Sequence, residues 1–258
     1  EPGKVGHDIL KNLIDADFKG DIYPVNPKAD EILGLDAYSD MLQIPAESVD
    51  VAIIVIPSKY VLKVVDQCAQ KNVKGLVVIS AGFKESGPEG AELEKQLAAK
   101  CRTHGMRCIG PNCLGVISTP NHLNASFAAD MPPKGNIAFF SQSGALGTAI
   151  LDITIGEDIG LSQFISIGNK ADVAETDLIQ ALCKDENTSV ILGYLEGVKN
   201  GREFMEAAGH VTREKPVIIM KAGRTAAGAK AASSHTGTLA GADRAFNAAF
   251  EQCGILRA

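Results

Sequence analysis

Short runs of aliphatic and β-branched residues alternate, along nearly the whole chain, with stretches whose apolar positions recur at helical spacing. The pattern predicts strands at 21–25, 50–56, 75–79, 107–109, 114–117, 136–140, 162–167, 189–195 and 216–220. It predicts helices at 6–15, 58–71, 89–104, 145–155, 175–184, 201–213 and 241–253. Within 58–71, Val61, Val64, Val65 and Cys68 fall at i, i+3, i+4 and i+7, one face of a helix. The run from Val51 to Ile56 is apolar on both faces, as a parallel strand covered by helices must be. Strand–helix alternation of this kind builds right-handed βαβ units, so the class is α/β with mainly parallel sheets. The stretch Asp130-Met-Pro-Pro-Lys-Gly135 forbids regular structure and separates a first domain, 1–130, from a second, 135–258. Helix 6–15 has no strand before it, and Ile255-Leu-Arg257 opens a strand that the chain does not continue. The expectation is a piece of a longer polypeptide, its first domain lacking the opening strand and its second cut at the C-terminal end.

Composition narrows the function classes. The 258 residues suit two domains at roughly 100–200 residues each. Lys and Arg number 25 against 31 Asp and Glu, a formal charge of −6, and no basic block stands out. A nucleic-acid binder or a polybasic membrane anchor is therefore not expected. The longest aliphatic run, Val51–Ile56, is far short of the ~18–20 residues of a spanning helix, and the start Glu1-Pro-Gly-Lys4 is not a signal peptide. None of the six cysteines forms a C-x-x-C pair. Cys101, His104, Cys108 and Cys113 straddle a helix end, a buried strand and a loop, unlike a zinc knuckle, so no metal site is expected. A reducing, cytoplasmic setting is the plain reading.

In open α/β sheets, ligands bind at the carboxyl ends of strands. In the first domain those ends carry Asn26-Pro-Lys28, Pro57-Ser-Lys59, Ser80-Ala-Gly82 and Gly110-Pro-Asn112, and Gly3-Lys-Val-Gly6 enters the first helix like the tail of a phosphate loop. A dinucleotide site would place Asp or Glu where this chain has Asn26, Pro27 and Lys28. A lysine there suits a ribose phosphate, as in coenzyme A or NADP, or is simply a solvated turn residue. In the second domain, strand 136–140 runs into Ser141-Gln-Ser-Gly-Ala145 at a helix start, where the amides of Ser143, Gly144 and Ala145 form a phosphate seat. Strand 162–167 ends in Gly168 and Asn169, further candidates for that seat, and strand 189–195 ends in Glu196-Gly197. Strand 216–220 leads into a long Ala-, Gly- and Ser-rich segment, 221–240, which holds Ser233-Ser-His-Thr-Gly237. Topology thus brings His235, Glu196 and a helix N-terminus to one sheet edge. A neutral imidazole whose far nitrogen is held by a carboxylate is a nucleophile toward phosphoryl groups.

Read in order, Pro2-Gly-Lys-Val-Gly6, Ile22-Tyr-Pro-Val-Asn-Pro-Lys28, Gly110-Pro-Asn-Cys113, Ser141-Gln-Ser-Gly-Ala-Leu-Gly147 and Ser234-His-Thr-Gly-Thr-Leu-Ala-Gly241 resemble the ADP-forming acyl-CoA synthetases (acetate–CoA ligases), kin of the succinyl-CoA synthetase α subunit. The resemblance covers the whole chain. It implies a Rossmann-like CoA-binding domain followed by a flavodoxin-like domain carrying a phosphohistidine. By that resemblance Gly3, Lys4, Lys28, Ser80, Ala81 and Asn112 line the coenzyme A site, His235 is phosphorylated, Glu196 orients it, and Ser143 with Gly144 holds phosphate. The implied reaction interconverts acyl-CoA, ADP and phosphate with acid, CoA and ATP. ATP or ADP and Mg2+ would be supplied by an ATP-grasp domain or β subunit, which this chain lacks, in an oligomeric assembly. Thr148 stands where the succinyl enzyme has a tyrosine, so a dicarboxylate preference does not carry over, and acetate or another small acid is favoured. Two other readings stay open at this point. One is a catalytically silent acyl-CoA sensor of the kind fused to acetyltransferases, in which the histidine is typically replaced. The other is an NADP oxidoreductase, for which no hydride-site constellation is visible.

Overall fold

A computed structural model describes residues 3–223 and 243–258 and divides the chain into two units. The first unit comprises the chain up to Ile117 together with Asn121–Met131 and Asn169–Asp172. Its centre is a parallel three-stranded sheet of β3 (Val51–Ile54), β4 (Gly75–Val78) and β5 (Arg107–Ile109), with Ile54 opposite Val78 and Val77 opposite Ile109. Alternation sorts the side chains. Ala52, Ile54, Leu76, Val78 and Cys108 pack with Val61, Val65, Leu97 and Cys101, from α2 (Ser58–Gln70) and α3 (Pro88–Thr103). Ile53, Val55, Val77, Ile79 and Ile109 pack instead with Ile9 and Leu13 of α1 (Val5–Asp15) and with Ala125 of β7 (Leu123–Ser126), which follows β6 (Gly115–Ser118). Both faces are covered, and that is why β3 reads as an unbroken apolar run. Asn12 of α1 donates through Nδ2 to the carbonyls of Ser126 and Ala128, at 2.9 and 2.7 Å, fixing the helix against β7.

Two local departures from the sequence pattern have physical causes. The strand expected at 21–25 reduces to one bridge, Val25 with Tyr38, because Pro24 and Pro27 cannot donate to a ladder. The chain instead forms a two-residue hairpin of β1 (Glu31–Ile32) and β2 (Leu35–Asp36), turned by Leu33 and Gly34 at φ 52° and 81°. Strand β7 went unread because Leu-Asn-Ala-Ser lacks alternation. Its buried Asn124 and Ser126 satisfy each other at 2.6 Å.

Helix α3 makes a close approach that only glycine permits. A Cβ at Gly90 would lie 1.9 Å from the carbonyl oxygen of Phe83 and 2.5 Å from its carbon. Helix propensity alone would reward Gly90→Ala by up to about 1 kcal/mol. The backbone clash is expected to reverse that sign and destabilise the unit by about 1–3 kcal/mol. Urea unfolding checks this, since a lower midpoint at unchanged slope reports a pure loss of stability.

The second unit runs from β8 (Lys134–Ser141) through α4 (Gly144–Gly156), β9 (Leu161–Ser166), α5 (Glu175–Lys184), β10 (Val190–Leu195), α6 (Gly201–Val211) and β11 (Val217–Lys221) to α7 (Asp243–Cys253) and β12 (Leu256–Arg257). Its strands lie in the order β9-β8-β10-β11-β12, every neighbouring pair parallel. Counted within the unit this is 2-1-3-4-5, the flavodoxin-like order. Phe139 and Phe164 stack across β8 and β9 with centroids 6.0 Å apart. Gly193 sits between Phe140 and Ile219, where a Cβ would come within 2.4 and 2.7 Å of their side chains. Among the described residues no helix is long and apolar enough to cross a membrane, and no cluster of His, Cys, Asp and Glu could hold a metal. All six cysteines are free, and burial pushes the Cys68 and Cys113 thiols up to about 12, as suits small hydrophobes.

Candidate active site

The flavodoxin-like order has its switch point between β8 and β10, since the chain leaves β8 first toward β9 and then crosses to β10. In this topology ligands bind at the carboxyl ends of those two strands. Gln142 follows β8 there, and its backbone N–H donates to the carbonyl of Tyr194 at 3.2 Å, extending the ladder. Its side-chain oxygen accepts from the amides of Glu196 at 2.6 Å and Gly197 at 3.0 Å, while its Nε2 donates to the Gly197 carbonyl at 2.7 Å. Glu196 is thus placed at the switch point, as its strand-end position foretold. Its carboxylate raises the Tyr194 phenol pKa, an effect second to burial. It also pulls on Lys221, whose ammonium is depressed first by burial and next by Arg257, against the opposing pull of Asp243 and Glu196. Lys221, at the end of β11, is buried, donates to the Ala222 carbonyl at 2.5 Å and lies 4.6 Å over the Phe246 ring.

The turn expected to seat phosphate offers fewer open amides than the sequence suggested. Ser143 caps α4, accepting through Oγ from Leu146 at 3.3 Å. Its own amide is taken by Ser141 Oγ at 3.1 Å, and the Ser141 hydroxyl in turn donates to the Ser143 carbonyl at 2.7 Å. The amides of Gly144 and Ala145 have no partner among the described residues, so these two are the donors left open at this helix start. Asn169, expected to share in the phosphate seat, is held by other partners. Residues Asn169–Asp172 cluster with the first unit, where Asn169 Nδ2 donates to Glu85 at 2.5 Å and to Glu94 at 2.8 Å. Burial works against ionisation of Glu85, but hydrogen bonds from Asn169 and the Phe83 and Gly82 amides outweigh it and hold the carboxyl pKa low. Gly168 stays with the second unit at φ 53°. His235 lies outside the described residues.

In the first unit, the Lys4 side chain does not cap α1, and the Val5 and Gly6 amides have no partner among the described residues. Gly3 precedes them at φ 76°, a left-handed conformation suited to glycine. Open amides beside a lysine are a fitting donor set for the phosphates of coenzyme A. Lys28 is exposed, its amide folded back onto Asn26 Oδ1 at 3.0 Å, which leaves the ammonium to solvent or ligand. Ala81 is exposed beyond β4, and Asn112 holds a left-handed φ of 57° with Nδ2 3.3 Å from Asn169 Oδ1. Ser80 has a structural part at the same strand ends. Its hydroxyl accepts from the Ile56 amide at 3.0 Å and donates to the Ile54 carbonyl at 3.3 Å, tying the ends of β3 and β4 together.

Sequence reasoning passed over Gln142 as an agent, Lys221 as a buried cation, and Glu175 altogether. Glu175 opens α5, is fully buried and accepts from the Lys199 amide at 2.8 Å. The available signal was an acidic residue at the first position of a helix directly after a strand-end loop.

Comparison with known proteins agrees with this architecture. Residues 1–119 match a CoA binding domain, and residues 134–258 match a succinyl-CoA ligase like flavodoxin domain. The chain is 52% identical over its full length to acetate–CoA ligase [ADP-forming] I of Archaeoglobus fulgidus, covering 37% of that protein. It is 51% identical, again over its full length, to acetate–CoA ligase [ADP-forming] I subunit alpha of Pyrococcus furiosus, covering 56% of it. The solved structure of Ca. Korarchaeum cryptofilum dinucleotide forming acetyl-coenzyme A synthetase 1 in complex with phosphate and ADP superposes with a TM-score of 0.95. Identity there is 48%, over 100% of this chain and 55% of that one. The chain therefore spans little more than half, or less, of these relatives. With both domains matched in order and about half of all residues identical, the chain belongs to the ADP-forming acyl-CoA synthetase family, of which it carries the CoA-binding and flavodoxin-like domains.

Proposed function

We propose that this chain is the coenzyme A-binding and phosphohistidine portion of an ADP-forming acyl-CoA ligase. The reaction interconverts acyl-CoA, ADP and phosphate with acid, CoA and ATP. Phosphate displaces CoA from the acyl group to give an acyl phosphate. His235 takes the phosphoryl group, the acid leaves, and the phosphoryl group passes from the imidazole to ADP. The observation that carries this reading is the switch point of the second unit, where the Glu196 turn and two open helix amides meet at one sheet edge. Glu196 orients the imidazole, and the Gly144 and Ala145 amides hold phosphoryl oxygens. In the other domain, the α1 amides with Gly3 and Lys4 seat the coenzyme A phosphates, Lys28 meets its ribose phosphate, and Ala81 and Asn112 flank it. The named relatives support acetate or another small acid as the acyl group. Nucleotide and Mg2+ bind on an ATP-grasp domain or partner subunit, and the assembly works in the cytoplasm.

The test uses the complete protein together with its nucleotide-binding portion. Incubated with Mg2+ and γ-labelled ATP, it is expected to acquire a label that is acid-labile and base-stable. That lability belongs to a P–N bond and excludes phosphoserine at Ser233 or Ser234. A complete protein that binds acyl-CoA tightly and never labels would instead be a sensor.

A further inference from the structure

Resting on the phosphohistidine reading, we propose that Glu175 is a positioning residue which sets, through the Gln142 side chain, the backbone of the Glu196–Gly197 turn. The hydrogen-bond inventory of Gln142 is the starting point. A primary amide has two acceptor sites and two donor hydrogens, and here all four are used. The oxygen takes the N–H groups of Glu196 and Gly197, and the nitrogen gives one hydrogen to the Gly197 carbonyl at 2.7 Å. The remaining hydrogen points to Glu175 Oε2 at 3.5 Å, the longest contact of the set. Reversing the amide would set an NH2 group against two backbone N–H donors. Glu175 accepts from the nitrogen end and so favours the observed orientation over its reverse.

The second oxygen of Glu175 extends the same grip. It accepts from the backbone N–H of Lys199 at 2.8 Å. Three amides of the β10–α6 connection, those of Glu196, Gly197 and Lys199, are therefore held by side chains from the end of β8 and the start of α5. A connection fixed in this way presents the Glu196 carboxylate from a determined backbone rather than from a mobile loop. Burying a carboxylate completely is costly, and the fold has no need of one at this position for packing alone. The start of α5 lessens that cost, because helix N-termini favour negative charge. The two donors meet different oxygens of Glu175, and a neutral residue of the same shape cannot offer an acceptor at both places. Glutamine illustrates this: it has one oxygen and one NH2, so Gln142 or Lys199 would face a donor.

Glu175→Gln and Gln142→Ala in the complete protein, singly and together, test the inference. In Glu175→Gln, hydrogen exchange of peptides spanning 195–200 is expected to speed up while the β8 and β11 peptides exchange at parental rates. Phosphohistidine formation is expected to slow by about 10–100-fold, the range typical of residues that orient a reacting group. The KM for coenzyme A is expected to stay within about twofold, since a change confined to turnover is what separates positioning from a general loss of structure. Because Glu175 acts in part through Gln142 and in part directly on the Lys199 amide, the loss in the double variant is expected to be clearly smaller than the product of the two single losses. Multiplicative losses in the double variant, or parental labelling and exchange in Glu175→Gln, would overturn the inference. Should either variant melt early, the exchange pattern of its folded fraction still decides, because positioning predicts a rise confined to 195–200. A parent protein that never labels sinks the phosphohistidine reading instead, and the exchange measurement then judges the backbone grip on its own.

Discussion

His235→Asn is expected to abolish both the acid-labile label and overall turnover, by more than about a thousandfold, while leaving coenzyme A affinity within about twofold. A neutral imidazole offers an in-plane lone pair to an electrophilic phosphorus. Asparagine matches the ring's polarity and approximate reach, but its nitrogen lone pair is delocalised into the carbonyl and does not attack. Coenzyme A affinity is the internal control, since residues 1–119 form the matched CoA binding domain and His235 belongs to the other. Glu196→Gln should slow labelling without erasing it. The amide still accepts a hydrogen bond from the ring but no longer supplies the charge that raises its basicity. A His235→Asn protein that forms acyl-CoA from ATP at the parental rate would refute the phosphohistidine route.

What could be read from the chain followed the strength of the local signal. Helices α2 and α5 and strands β3 and β10 came through because their periodicity is set by cores on known faces, as in Val61, Val65 and Cys68 against Leu76 and Val78. Strand ends were legible for the same reason, and with them the position of Glu196. The hairpin at 31–36 and strand β7 were not, since each is short and held by turn geometry or by buried polar pairs rather than by an apolar stripe. The site was legible where its chemistry is borne by residue type and illegible where it is borne by direction. Sequence placed Ser143, Gly144 and Ala145 at a helix start, but only coordinates reveal that Ser141 Oγ has claimed the first amide. Asn169 was read from its strand-end position, but its hydrogen bonds to two glutamates more than 70 residues earlier could be seen only in the fold. Glu175 gave no signal above that of an acidic first turn, because its partners, Gln142 and Lys199, are distant in sequence.

Gly144→Pro isolates the phosphate seat from the fold that carries it. Gly144 is the first residue of α4, a helical position where proline's missing N–H breaks no intrahelical bond and its fixed φ suits the helix. The residue before it, Ser143, already has φ −103° and ψ 118°, the extended region that a following proline demands. A Cβ at Gly144 meets nothing within 4 Å. Stability is therefore expected to hold, or to rise by about 0.4–1 kcal/mol through the stiffer unfolded chain. The substitution still deletes one of the two open amides that the proposed function assigns to the phosphoryl oxygens. Loss of a preorganised donor of this kind costs about 100–1000-fold in turnover, so labelling by γ-labelled ATP is expected to fall by that factor while coenzyme A binding does not change. Gly144→Ala is the matched control, because it keeps the amide, fits the open space and should label at the parental rate. If Gly144→Pro folds with parental stability and also labels at the parental rate, the α4 amides hold no phosphoryl group in the reaction.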